Sequence, residues 1–523
     1  MKKSPELILI VLESAETELV EKWMAQGYLP NIKKLRDGGV WSKITTPAYI
    51  SSGCVWPSLT VGVNPGKHGF VFFHRQLKSG TYRIVKRYSE QIPNDYFWIP
   101  LSRAGKKVAI MDVPLTRPQK DLNGYLFCNW GDEHPGWKSD SIPKSLYPEI
   151  VKEFGQHPLH EWYQSNPGNK EEWLLFKDRL QKGVEKRVEV SEFILGKEHI
   201  DFAIINFAEP HWAGHIAWHV HDESHPQHDP EIRKACGDII LHNCIDLDKA
   251  VGKIVDQNPN STFMVVSHIG MTGQTGGELL TTEILNRLGM AGKKPKKGFI
   301  STFKEKLFAG SQGVSQGVQI VEKVITPKMM TKIKKLVPER FWDDWTRRYL
   351  SLGTNWSKSR AFLVPGDHAS LIRVNLKGRD PKGKVEPGEE YRALLKEISE
   401  AFYELKEVST GLPAVSRIEF LQDTLWGDEI DEFPDIAIIW RQGNPIESVE
   451  SERLGRIGLK EYHKRSGGHS ERGFFIFNGP DIKKGLDLEL SDTLDIVPTI
   501  FSIMSVDAPD YLDGVTLIDK IRN

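Results

Sequence analysis

Asp201-Phe-Ala-Ile-Ile-Asn-Phe207 runs without a break into Ala208-Glu-Pro-His-Trp-Ala-Gly-His-Ile-Ala-Trp-His-Val-His-Asp222, and this pair decides the fold. The first run is short, apolar and β-rich, as expected of a strand buried on both faces. The second, wound as a helix, projects His211 and His215 from one face, since residues four apart are neighbours there. The strand-then-helix succession recurs at Leu7–Leu12, Lys107–Met111, Thr262–Ser267, Asp435–Trp440 and Gly473–Phe477. Continuous apolar strands alternating with helices predict an α/β fold, a mainly parallel central sheet sandwiched by helices.

Functional groups in such sheets collect beyond the carboxyl ends of the strands. Glu13, His211 and His268 each stand within about four residues of such an end. Residues spanning 13 to 469 share the chemistry, so a single domain over 1–523 is expected. The segment 278–356, with basic stretches such as Lys293–Lys297 and Lys332–Leu336, is expected as a largely helical insertion over the sheet edge, its lysines on a solvated face.

Lys+Arg 69 against Asp+Glu 70 leaves a net charge of -1, so no global field favours nucleic acid or a membrane surface. No run approaches the ~18 apolar residues of a membrane span. The apolar run at the start stops at Glu13 after six residues, which suits a strand better than the ~7–15 residue core of a secretion signal. Four scattered cysteines, Cys54, Cys128, Cys236 and Cys244, without a CxxC pair, point to a reducing compartment, by default the cytoplasm.

Six of the 17 histidines fall between His211 and His228. His211 and His215 have the spacing to bind one cation, or to form a structural helix pair. His219, His221, His225 and His228 suit neighbouring loop positions. His268 follows a strand and precedes Gly270 and Gly273. His469 follows Ser466-Gly-Gly, which leaves room for a ligand. Trp56, Trp212 and Trp218 suit a pocket wall or plain packing.

Taken with Leu29-Pro-Asn-Ile-Lys-Lys-Leu35, Gly62-Val-Asn-Pro-Gly-Lys-His-Gly69, Ile372-Arg-Val-Asn-Leu-Lys-Gly-Arg379 and Asp495-Ile-Val-Pro-Thr499, this ordered set resembles the type I phosphodiesterase/nucleotide pyrophosphatase family of the alkaline phosphatase superfamily. The resemblance implies an alkaline phosphatase-like fold and a phosphoric ester hydrolase acting on a small phosphodiester or phosphomonoester. In that family two divalent ions, usually zinc, clamp the attacking and leaving oxygens of an in-line transfer. The family's nucleophile lies sixteen residues before the histidine of the NPGKHG-like turn; here that is Ser52, with Ser51 as the fallback. The implied metal ligands are Glu13, Ser52, His211, His215, His268 and His469.

The chain departs from the family pattern at three places. Asp-Gly becomes Glu13-Ser14, Asp-x-x-x-His becomes His211-x-x-x-His215, and Asp-His becomes His268-Ile269. Two ions held close together repel, and fewer carboxylates offset them. Either a supplementary acid such as Glu209 or Asp222 moves in, an anionic substrate makes up the deficit, or only one ion binds tightly; the expected outcome is a strong site at His211, His215 and His469 with a weaker one at Glu13, Ser52 and His268. Three neutral imidazoles suit zinc, with manganese or iron as alternatives. A member repurposed for binding metal or ligand without catalysis is the rival reading, as is hydrolysis of a sulfate or phosphonate ester. A sulfatase signature needs Cys-x-Pro-x-Arg, and the chain has Cys54-Val-Trp-Pro-Ser58. Arg373 and Arg379 could meet an anionic substrate or lie on a basic strand facing solvent.

Overall fold

The computed structural model describes residues 4–72, 75–87, 91–131, 138–160, 166–292, 355–443, 445–459 and 465–523. Leu7–Leu12 is fully buried and lies inside a nine-stranded sheet, between the strands Phe202–Phe207 and Thr262–Ser267. Its alternate residues serve two cores. Ile8, Ile10 and Leu12 pack with the helices Lys170–Lys197, Glu209–His221 and Ile239–Gln257. Leu7, Leu9 and Val11 face the opposite layer, with Val55–Val61, Trp98–Arg103 and Ile496–Ile503. A strand with apolar partners on both faces must be apolar at every position, hence the unbroken run.

Among the described residues, five of the eight strand contacts in this sheet are parallel. Arg472–Asn478 is antiparallel to both its neighbours, Val40–Thr45 and Thr262–Ser267. Its beginning therefore lies beside the carboxyl ends of the parallel strands, which brings His469 to the edge carrying Glu13, His211 and His268.

The expected strand at Asp435–Trp440 forms as Ile436–Trp440, but in a separate four-stranded antiparallel sheet with Ala361–Val364, Ala369–Val374 and Val415–Phe420. Ala369–Val374 is internal in that sheet and wholly buried, so Arg373 does not face solvent, and the Arg379 side chain beyond it is buried too. Arg373, 1% exposed, pairs with Asp380 at 3.0 Å, and Arg379 pairs with Asp435 at 2.7 Å. The antiparallel sheet shares a core with the segment after Val40–Thr45: Ile50, Cys54, Val71 and Leu77 pack with Phe362, Leu371 and Ala437. Of the expected insertion 278–356, residues 293–354, including both lysine-rich stretches, lie outside the described residues.

Candidate active site

The nucleophile segment is built by caps. Ser52 opens a 3-10 turn, Ser52–Cys54, that continues into the helix Val55–Val61. Gly62 ends that helix in the left-handed conformation (φ 72°), Asn64 caps the short helix Pro65–His68, and Gly69 ends it at φ 70°. His68 closes the loop. Its Nδ1 accepts from the Phe70 N–H at 3.0 Å, so its Nε2–H faces the Ser58 hydroxyl at 3.0 Å. Burial pushes His68 down to about 3, keeping it neutral. The sixteen-residue spacing is thus one helix, a reversal and a second helical turn tied back to the first.

His211 and His215 lie on the helix Glu209–His221, one turn apart as their spacing requires. The helix is fixed from behind by Glu209, which accepts from Arg187 Nε at 2.7 Å and meets His157 Nε2 at 2.8 Å; Arg187 also pairs with Asp112 at 2.8 Å. Glu209 is thereby committed to the core. Asp222, the other acid expected to supplement the site, accepts from Ser224.

His469 arrives on the strand Gly467–Ser470, paired with Gly270–Gly273. A side chain at Gly467 would overlap the Gly214 carbonyl, and one at Gly214 would meet Met271 Cε at 2.6 Å. Only glycines let this hairpin and helix approach closely enough for the three imidazoles to converge. Ring centroids stand 4.6, 4.9 and 4.7 Å apart for His211–His215, His211–His469 and His215–His469. One ligand nitrogen from each falls within 4.8 Å of the other two, and all three residues are buried.

Each Nδ1 faces an acceptor: Glu13 Oε1 at 3.2 Å for His211, the Gly467 carbonyl at 2.7 Å for His215 and the Gly270 carbonyl at 3.4 Å for His469. An outward Nδ1–H leaves a lone pair on the inward Nε2. His211 and His215 Nε2 are 2.9 Å apart, and burial drives His215 and His469 well below the ordinary histidine range. Two lone pairs facing at that distance repel unless a cation lies between them. Tetrahedral zinc, with bonds of ~2.0–2.1 Å, would hold such nitrogens about 3.3 Å apart. The donor set, its outward hydrogen bonds and its burial fit a divalent transition metal.

Glu13 and His268 adjoin this group. Glu13 Oε1 also accepts from Trp56 Nε1 at 3.0 Å, and Oε2 accepts from Asn206 at 3.2 Å. Burial would raise this carboxyl, but His211, His268 and Trp56 outweigh it and bring it to about 2, so it is ionised. His268 is 1% exposed and its ring lies 4.1 Å from that of Trp56. Neither of its nitrogens has a hydrogen-bond partner among the described residues, and burial pushes it down to about 4. His219 and His221 end the same helix and turn elsewhere, to Ser466 and to Asp238.

Ser52 is met by Asp367, which is backed by His368, and motif reading missed both. Asp367 Oδ2 accepts from the Ser52 N–H at 3.0 Å and from its hydroxyl, and His368 Nδ1 lies 3.1 Å from Asp367 Oδ1. Both sit between the antiparallel strands Ala361–Val364 and Ala369–Val374, and the His368 ring is 6.1 Å from that of His469. Gly366-Asp-His368 was available as a signal: an Asp-His pair closely following a strand, the feature missing at His268-Ile269.

A family model described as type I phosphodiesterase / nucleotide pyrophosphatase matches residues 7–295. No curated protein matches the chain. Solved structures similar to it include murine ectonucleotide pyrophosphatase/phosphodiesterase 5, as an inactive variant in complex with AMP, at 12% identity over 99% of this chain and 100% of that one, TM-score 0.49. The human ectonucleotide pyrophosphatase/phosphodiesterase 5 is 13% identical over 99% of this chain and 100% of that one, TM-score 0.47.

Proposed function

Because the chain belongs to the type I phosphodiesterase/nucleotide pyrophosphatase family, we propose that it is a metal-dependent hydrolase of a small phosphodiester or phosphomonoester, with Ser52 as its nucleophile. The observation that carries this reading is the convergence of one ring nitrogen each from His211, His215 and His469 in a buried site on the sheet edge that also holds Ser52. Zinc suits three imidazoles best, and manganese or iron are the alternatives. When bound there, the ion supplies positive charge against the charge developing on a phosphoryl oxygen.

The protein's own groups do the rest. Glu13 and the carbonyls of Gly467 and Gly270 hold the three rings with their lone pairs inward. Ser52 opens the 3-10 turn that leads into Val55–Val61, and its hydroxyl donates to Asp367 Oδ2. Four buried, unpaired cysteines support a cytoplasmic setting.

Binding without catalysis is favoured by one observation: the Ser52 hydroxyl and both Glu13 oxygens already have protein partners. Ser52→Ala decides between the two. Hydrolysis of nitrophenyl phosphate or phosphodiester substrates should fall to background in the variant while its metal content matches the wild type. Normal turnover in Ser52→Ala would end the nucleophile assignment. A wild type that holds metal but hydrolyses no phosphate, sulfate or phosphonate ester would establish the binding reading instead.

A further inference from the structure

We propose that Asp367 is a catalytic residue of this site, receiving the Ser52 hydroxyl proton as Oγ attacks phosphorus; this rests on the reading of Ser52 as the nucleophile. The residue comes from the antiparallel sheet, 315 positions along the chain from Ser52, and one oxygen, Oδ2, accepts both the N–H and the O–H of that serine. Two donors from one residue onto one oxygen fix the serine rotamer as well as the direction of its proton.

Neighbouring carboxylates around the histidine group are committed elsewhere. Glu13 is held by Trp56, Asn206 and His211, Glu209 by Arg187 and His157, and Asp112 by Arg187 and two backbone N–H groups. Asp367 is steadied from its other side. Oδ1 lies 3.1 Å from His368 Nδ1, the far nitrogen of that ring reaches the Ala48 carbonyl, and Gln274 donates to the Asp367 carbonyl at 3.3 Å. Ala48 follows the strand Val40–Thr45 and Gln274 follows Gly270–Gly273, so the Asp367–His368 pair is tied to segments outside its own hairpin.

The step balances without a further reagent. The Ser52 O–H bond breaks and its proton passes to Asp367 Oδ2 while Oγ bonds to phosphorus. The bond from phosphorus to the leaving oxygen breaks with its electron pair, and solvent protonates that oxygen. In the second half water attacks phosphorus and gives up one proton to solvent, the Oγ–phosphorus bond breaks with its electron pair to Oγ, and Asp367 returns its proton to Ser52. Removing a positioned proton acceptor lowers such a step by about 100-fold or more.

The test is rapid-quench phosphorylation of Ser52 in the metal-loaded full chain with a nitrophenyl phosphodiester, followed by mass spectrometry of the Ser52 peptide. Asp367→Asn keeps the shape and can still accept the Ser52 N–H, but cannot take the proton. Its labelling rate and kcat should fall by about 100-fold or more, with KM, melting temperature and metal content held. Asp367→Glu should retain more rate than Asp367→Asn, and serves if the latter folds poorly. Labelling as fast as wild type in Asp367→Asn overturns the proposal alone. Loss of a bound ion together with the rate makes Asp367 a metal ligand and overturns it. Faster labelling makes the carboxylate a plug in the phosphoryl position, and also overturns it. Wild-type enzyme that turns over without ever labelling Ser52 overturns the nucleophile reading and this one with it.

Discussion

Ser14 follows Glu13 at φ 64°, in the left-handed region where a side chain is strained and glycine is not. Its hydroxyl is buried and has no hydrogen-bond partner among the described residues. The turn is needed because Glu13 must leave the strand and present one oxygen to His211 and Trp56 together. Ser14→Gly should therefore stabilise the protein by about 1 kcal/mol, measured by denaturant unfolding, since it removes strain and an unpaired hydroxyl at once. A decrease in stability would mean that the serine side chain makes an interaction worth more than the strain. The Asp-to-Glu departure was legible in the sequence as a moved carboxylate. Its use, holding the outer nitrogen of His211, was not, because that depends on where a helix two hundred residues later comes to rest.

At the scale of elements, the histidine helix is positioned by its neighbours more than by its own sequence. His221 near its end pairs with Asp238 at 2.8 Å, and Asp238 also caps the helix Ile239–Gln257 by accepting from Leu241 N–H. Burial would raise Asp238, but His221, the capped N–H and Arg233 bring it from 3.8 to about 2. The folded protein thus binds this proton less readily than the unfolded chain, so the stabilisation is complete above pH 3.8 and is lost as pH falls through about 2. Asp238→Asn should cost about 2 kcal/mol at pH 6, and the gap to wild type should close as pH falls toward 2. A pH-independent difference in unfolding free energy would show that shape, not charge, sets the contribution. The i,i+4 spacing of His211 and His215 announced a shared face; the close approach allowed by Gly214 and Gly467 is what turns a face into a convergent group.

Across the whole molecule, the site draws on both sheets. Ser52 belongs to a loop of the central sheet, Asp367 to the antiparallel one, and the core around Ile50, Cys54, Phe362 and Leu371 joins them. We propose on that ground that the chain is a single folding domain. Calorimetry should show one transition, and chelation should lower its midpoint, since a ligand bound only to the folded state adds ~2.7 kcal/mol at a hundredfold excess over Kd. His469→Ala should remove the chelation effect. Two separate transitions, with only one sensitive to metal, would divide the chain into independent units.

By itself the sequence determined whatever depends on short spacing. Unbroken apolar runs such as Leu7–Leu12 declared strands buried on both faces, the helix period paired His211 with His215, and the Asn64 turn signalled the break between two short helices. The tertiary structure alone decided which distant groups meet. It put Ile436–Trp440 into a second sheet, buried Arg373 and Arg379 against Asp380 and Asp435, and seated Asp367 on Ser52. The physical reason is that strand and helix periods are encoded within a few residues, whereas partners hundreds of positions apart are chosen by packing of whole layers and by the need to satisfy each buried charge.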